Sequence, residues 1–323
     1  MAISDRDGNV LHDGDGSERE LLEAAAPKLG KVCLPGGPLQ RLKAPGADLH
    51  QSDLSGADLA SADLSKANLS HADLVGILAR EANFSQVNFE SSWLTGADLS
   101  DCDLSGAQLH GADLSGARLV NASLRGANLD NAQLFGADLS SADLSGANLT
   151  NTDLRGAVLK SADLRNATFC ETRLEGADLS DVAAKGVVMS GCQLQGALLR
   201  DGDWSKARWL EVEARGTDVS SSSFEGAEFV GCDFSGSALS DIAAQKASFE
   251  RTRLRGCDLS DSDFQKAVFD LCDLTGSDLG DSSFRSARFK RAVFTRGEAD
   301  GAEWDKAVWE DSPEFQRPDS DDA

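Results

Sequence analysis

The chain has no tyrosine, two methionines and four histidines among its 323 residues. The histidines (His12, His50, His71, His110) are scattered, so no metal-ligand spacing and no Ser/His/Asp set can be assembled from them, and no P-loop or GxGxxG occurs. No enzymatic activity, cofactor or metal is therefore expected. There is no apolar run long enough to span a membrane, and the start MAISDRDGNV is too acidic and polar for a signal peptide. Cationic residues are outnumbered, 31 against 54 acidic ones. The net charge of −23 argues against nucleic acid or an anionic membrane as a direct partner and favours a protein with a basic surface. Seven cysteines form no C-x-x-C pair, which fits reduced thiols and a cytoplasmic chain.

Ala, Asp, Leu, Ser and Gly dominate what remains, and such bias points to a repeat. From ADLHQ SDLSG ADLAS onward the unit is five residues. With the large apolar position called i, every residue number ending in 4 or 9 from Leu49 to Trp309 holds it, in 53 consecutive units. Those positions carry 30 Leu, 12 Phe, 4 Trp, one Met, one Val and 5 Ala. Position i−2 carries 29 Ala, 18 small Ser, Thr, Cys or Gly and 6 Val or Ile, and the other positions read as polar or glycine. Neither a helix nor a flat strand has this period. Two inward positions and a turn per unit predict a solenoid in which each unit makes one side of a coil.

These A(D/N)LxG-type units resemble the pentapeptide-repeat family, over about residues 47–311. The resemblance implies an all-β fold, a right-handed quadrilateral β-helix with four units per coil and i and i−2 pointing inward. The sequence supports four per coil independently. Residue i+2 of every fourth unit, from Gly56 to Gly276, is glycine without exception, whereas the adjacent unit carries Ser, Asp, Asn or Glu there. A corner needing positive φ in a type II turn explains that glycine. Arg296 breaks the series and predicts a distorted last coil. About 13 coils follow, stacked at about 4.8 Å.

Aromatic residues keep the same period. Trp204/Trp209, Phe224/Phe229, Phe264/Phe269, Phe284/Phe289 and Trp304/Trp309 fill two adjacent inner columns, in which rings of successive coils can stack. Where i shrinks to Ala79, Ala184, Ala214 or Ala244, i−2 enlarges to Ile77, Val182, Val212 or Ile242, as a close-packed interior requires. Five cysteines (Cys102, Cys192, Cys232, Cys257, Cys272) take the i−2 slot as small apolar groups.

Residues 1–46 read as an acidic leader and N-terminal cap. Its helix spans about 17–29, opened by a capping box of Ser17 and Glu20 and closed at Gly30. Such a cap is needed because a β-helix exposes a strand edge at its end. Residues 312–323 read as an acidic disordered tail.

Charge is uneven around the coil. Of the four faces between residues 47 and 311, the one beginning at Ala57 carries −12 and the one beginning at Ala62 carries zero. The candidate partner-binding residues on the acidic face are Asp58, Asp98, Asp101, Asp138, Asp178, Asp181, Asp218, Asp241, Asp258, Asp261, Asp278 and Asp281. Resemblance to the topoisomerase-protecting members of the family implies an acidic rod that imitates duplex DNA and enters the basic groove of DNA gyrase or topoisomerase IV. The alternative within the same family is a structural or adaptor scaffold, including ones associated with secretion systems. Family members also dimerise end to end through an apolar last coil. Here that implies a homodimer through Phe294, Trp304 and Trp309, or a lid formed by Phe315.

Overall fold

The computed structural model describes residues 2–5, 10–13, 16–25 and 30–311. The chain divides into two compact units, Met1–Asp163 and Leu164–Ala323. Both are built from one twenty-residue coil in parallel register, as in Asp53↔Asp73 of the first unit and Asp258↔Asp278 of the second.

The five-residue unit becomes one side of a coil through three hydrogen bonds. Leu54 N donates to Asp73 O at 2.8 Å and Asp73 N donates to Ser52 O at 2.8 Å, which ties each side to the coil after it. Ala57 N donates to Leu54 O at 2.9 Å and closes the corner. The residue before that donor always lies in the left-handed region. From Lys31 to Asp311, every fifth residue has positive φ, at 34 non-glycine residues and 23 glycines. Positive φ therefore belongs to all four corners and does not single out the glycine corner: Gly56 at 65° is matched by Ser61 at 56° and Lys66 at 61°.

In the first unit, β1 (Ala2–Asp5) pairs antiparallel with β2 (Val10–Asp13) and with β3 (Val32–Cys33). Helix α1 (Glu18–Ala25) follows the hairpin. Its start is the expected capping box: Ser17 N donates to Glu20 Oε2 at 2.8 Å, and Glu20 N donates to Ser17 Oγ at 3.3 Å. The expected continuation to residue 29 falls on residues 26–29, which lie outside the described ones. The cap works as an edge cover should. β1 occupies the open side of β3, while Glu23 accepts the Lys43 N–H at 2.9 Å. An acidic composition gave no sign of the hairpin. Coil pairing begins at Cys33↔Asp53 and Pro38↔Asp58, earlier than residue 47, with Leu34 and Leu39 already buried.

The second unit differs on one side. There β4 (Thr168–Cys170), β5 (Val188–Ser190), β6 (Arg208–Leu210), β7 (Glu228–Val230), β8 (Ser248–Glu250), β9 (Val268–Asp270), β10 (Arg288–Lys290) and β11 (Val308–Glu310) form one parallel sheet in chain order. Their central residues are Phe169, Met189, Trp209, Phe229, Phe249, Phe269, Phe289 and Trp309. On this side the inner residue is aromatic or Met in every coil, whereas the neighbouring aromatic column of Trp204, Phe224, Phe264 and Phe284 lies outside the named strands.

Every i position from Leu49 to Phe289 is buried, and so are the compensating Ile77, Val182, Val212 and Ile242. The rings stack as the column spacing predicts: Phe229–Phe249 at 4.7 Å and 4°, Phe249–Phe269 at 4.8 Å and 4°, Phe289–Trp309 at 4.2 Å and 11°. Trp209 is tilted 45° against Phe229, while Trp204 meets it edge-on at 5.3 Å. Gly202 makes this possible, since a β-carbon there would collide with the Trp204 indole nitrogen.

The inward cysteines do more than fill space. Residue i of one coil offers its carbonyl to the i−2 side chain of the next. Cys232 Sγ donates to Trp209 O at 3.4 Å, Cys272 Sγ to Phe249 O at 3.3 Å and Cys102 Sγ to Ala79 O at 2.8 Å. Ser222 and Thr152 donate likewise to Leu199 O and Leu129 O at 2.8 and 2.9 Å. A thiol here is a small hydrophobe that also satisfies a buried carbonyl. All seven cysteines are free.

Distortion of the last coil is visible around Arg296. The corner there is a bend instead of a turn, and a β-carbon on Gly297 would meet Ser277 O at 2.8 Å.

Candidate functional site

The acidic face resolves into two kinds of carboxylate. The first stands at i−1, between the two inward residues. Asp58, Asp98, Asp138, Asp178, Asp218 and Asp278 are half-buried there and Asp258 is exposed. Each turns one oxygen onto its own corner, accepting the N–H of the residue two further on: Ala60 to Asp58 at 3.1 Å, Ser180 to Asp178 at 2.9 Å, Ser260 to Asp258 at 3.1 Å, Gly280 to Asp278 at 2.9 Å. At Asp98, Asp138 and Asp218 the following serine adds its hydroxyl at 2.6 Å. Turn chemistry accounts for these residues. Asp98 illustrates the balance: burial raises its pKa, but the Ser100 hydroxyl and N–H, with Arg80 and Arg118 nearby, outweigh that and hold the carboxyl below its ordinary value.

The second kind stands at i+2, on the corner itself. Asp101 in the first unit and Asp181, Asp241, Asp261 and Asp281 in the second are exposed at φ between 53° and 61°. Asp201, missed in reading the sequence, belongs with them because it falls on the same corner at φ 60°. Its signal was the period of twenty. Counting from Asp181, five of six successive coils in the second unit put an aspartate on this corner, Ser221 being the exception. Ser221 donates to Asp241 at 3.2 Å, so it too serves the column. Like charges at a coil spacing of about 4.8 Å repel, at roughly 1 kcal/mol per pair in water. The i−1 aspartates hold turns, whereas these stand exposed on the corner itself.

Arginines reduce the charge in places. Arg80 reaches Asp101 at 3.1 Å and Asp98 at 3.8 Å, and Arg200 reaches Asp218 at 3.4 Å. On the adjacent, neutral face Lys246 pairs with Glu225 at 2.8 Å. Of the histidines, His50 and His110 lie against Asp48 and Asp130 at 2.8 and 3.1 Å, and His71 is exposed. Among the described residues no group of three or more His, Cys, Asp or Glu side chains is placed to hold a metal ion, and no helix is long and apolar enough to cross a membrane.

At the C-terminal end, Phe294, Trp304 and Trp309 are half-buried, in contrast to the buried rings of earlier coils. Phe315 lies outside the described residues.

Twenty-residue coils with four turns, parallel pairing and an inner column of large residues define a four-sided parallel β-solenoid. Family comparison agrees: "Pentapeptide repeats" matches in eight copies between residues 46 and 201, and "Pentapeptide repeat region" matches residues 222–304. The chain belongs to the pentapeptide-repeat family. Similar solved structures include HetL, a pentapeptide repeat protein involved in heterocyst differentiation regulation from the cyanobacterium Nostoc sp., at 29% identity over 81% of this chain and 90% of that one, TM-score 0.26. Another is full-length QnrB1, a plasmid-mediated fluoroquinolone resistance protein, at 23% identity over 61% of this chain and 93% of that one, TM-score 0.24. A pentapeptide repeat protein of the Arabidopsis thaliana thylakoid lumen is 33% identical over 33% of this chain and 68% of its own, TM-score 0.14. No curated protein matches.

Proposed function

We propose that this chain is a non-enzymatic cytoplasmic binding protein whose acidic face imitates duplex DNA and engages a basic groove, the DNA-binding groove of a type II topoisomerase being the partner of matching chemistry. The observation that carries this reading is the column of exposed aspartates Asp181, Asp201, Asp241, Asp261 and Asp281 on one corner of the second unit. A charge about every 4.8 Å is sparser than the ~3.4 Å phosphate spacing along one DNA strand but of the same order. Quinolone resistance is what the name of QnrB1 states of that protein; gyrase protection by this chain is the corresponding proposal. A second reading, an adaptor or scaffold for another protein, is favoured by Arg80 and Arg200, which lie against the carboxylates and weaken a DNA-like field.

DNA gyrase supercoiling assayed with the purified chain, with and without a quinolone, decides between them. Inhibition or drug protection is expected, lost when Asp181, Asp241 and Asp261 are changed to Lys. These three are preferred over Asp178, Asp218 and Asp258, whose turn bonds would confuse folding with binding. No effect on gyrase and no binding at low salt overturns the topoisomerase reading.

A further inference from the structure

Outer positions of the repeat read as polar or glycine, yet five large apolar side chains are exposed on the first unit: Val75, Leu78, Trp93, Phe135 and Val158, at 43, 52, 47, 57 and 36%. Their placement is not scattered. All five stand on the two sides that flank the uninterrupted glycine corner, and Val75 and Leu78 lie on either side of Gly76 itself. Trp93 joins them through register, since it pairs with Asp73, two residues before Val75. Val75, Leu78 and Trp93 thus form one apolar patch two coils tall, wrapped around the bare edge of Gly76 and Gly96. The other four tryptophans all occupy the inward position, which makes an outward Trp93 the exception to the chain's own rule.

The glycines reinforce the point. Gly76 and Gly96 have φ of 65° and 66°, but Glu81 and Asp101 on the next corner keep 60° and 61° with side chains. No atom lies within 4 Å of where a β-carbon would stand at Gly76 or Gly96. Neither backbone conformation nor a neighbour in the unit excludes a side chain there. Their effect is to leave the apolar residues on both sides of the corner joined.

We propose that this patch docks an amphipathic, cationic segment of a partner protein, its apolar side chains against Trp93, Val75 and Leu78 and its Lys or Arg residues on the carboxylates around them. Charge selects this occupant. Asp73 and Asp113 pair in register on either side of Trp93, and Asp58 and Asp98 on either side of Leu78. Asp73 and Asp113 each give one oxygen to their turn, to Val75 N at 3.3 Å and Ser115 N at 2.9 Å, and keep the other. Arg80 is engaged by Asp98 and Asp101. A second copy of this chain would bring its own acidic rim and a net charge of −23, and an anionic bilayer is repelled in the same way. A central aromatic anchor inside a polar rim is the usual layout of an interface. The patch lies on the first unit, so the proposal does not rest on the topoisomerase reading.

The test uses the full chain and a fluorescein-labelled amphipathic peptide of leucine, tryptophan and lysine, with a glutamate-for-lysine counterpart as control and phosphatidylglycerol vesicles as a second probe. Fluorescence anisotropy is expected to give micromolar binding of the lysine peptide at low salt. Trp93→Ser and Leu78→Ser each weaken it by about tenfold or more. Both positions are exposed, and an unchanged circular dichroism melt confirms that each variant is folded. Gly76→Lys, which places a cation on the edge, weakens it as well. Equal binding by the glutamate peptide, by the vesicles or by the Trp93→Ser variant overturns the proposal. So does no binding by any probe, or a concentration-dependent rise in mass that Trp93→Ser abolishes.

Discussion

The five inward thiols carry the clearest residue-scale consequence. Burial pushes Cys102, Cys232 and Cys272 from 9.0 to about 12 and Cys192 and Cys257 to about 11. Well below pH 9 the thiols are protonated in both the folded and the unfolded chain, and they add no pH dependence there. Above it the unfolded chain loses those protons first, so it binds fewer than the native state and stability falls as pH rises toward 11 to 12. Chemical denaturation between pH 8 and 11 is expected to give a steep alkaline loss. Changing the five to Ser flattens that slope while preserving the hydrogen bonds to Trp209 O and Phe249 O. An unchanged slope would mean that these protons are not linked to folding. The cysteine period in the sequence revealed the slot; only the structure revealed the carbonyl each thiol serves, because that partner belongs to the preceding coil.

At the scale of elements, the parallel sheet β4 to β11 is held by its aromatic column. Phe249 lies between Phe229 and Phe269 with near-parallel rings at 4.7 and 4.8 Å. Phe249→Ala is expected to cost about 3–5 kcal/mol, against a smaller loss for Phe249→Leu, which refills the column as Leu does elsewhere. Equilibrium unfolding in urea measures both, and equal losses would show that stacking rather than volume is what matters. This part of the fold was largely legible. Period, inward positions and aromatic columns all follow from sterics repeated every five residues. The β1–β2 hairpin was not legible, because Ala2–Asp5 and Val10–Asp13 have no repeat and are defined by pairing with each other and, through β1, with β3. Assigning positive φ to the glycine corner alone was too narrow, since Ser, Lys and Asp take the same φ on other corners.

For the molecule as a whole, charge and ends decide behaviour in solution. A net charge of −23 makes binding to any basic partner fall with ionic strength, as exposed charges are screened beyond about 10 Å at 0.1 M salt. The half-buried rings of Phe294, Trp304 and Trp309 motivate a homodimer joined at the last coil. Light scattering after size exclusion is expected to give a dimer for the native chain and a monomer for Trp309→Glu. A variant that stays dimeric places the interface elsewhere.

By itself, the sequence determined the coil: a strict period of five, with large and small residues alternating inward, admits one backbone path that buries both. It also determined where net charge accumulates, since a period of twenty assigns each residue to a face. Which carboxylates are turned onto their own corner and which stand out from it was decided only by the tertiary structure. Asp178 and Asp181 differ by three positions in the same unit and carry the same charge. One is turned onto the Ser180 N–H and the other stands exposed on the corner. The period already set Trp93 apart from the four inward tryptophans, and the structure added its exposure of 47%.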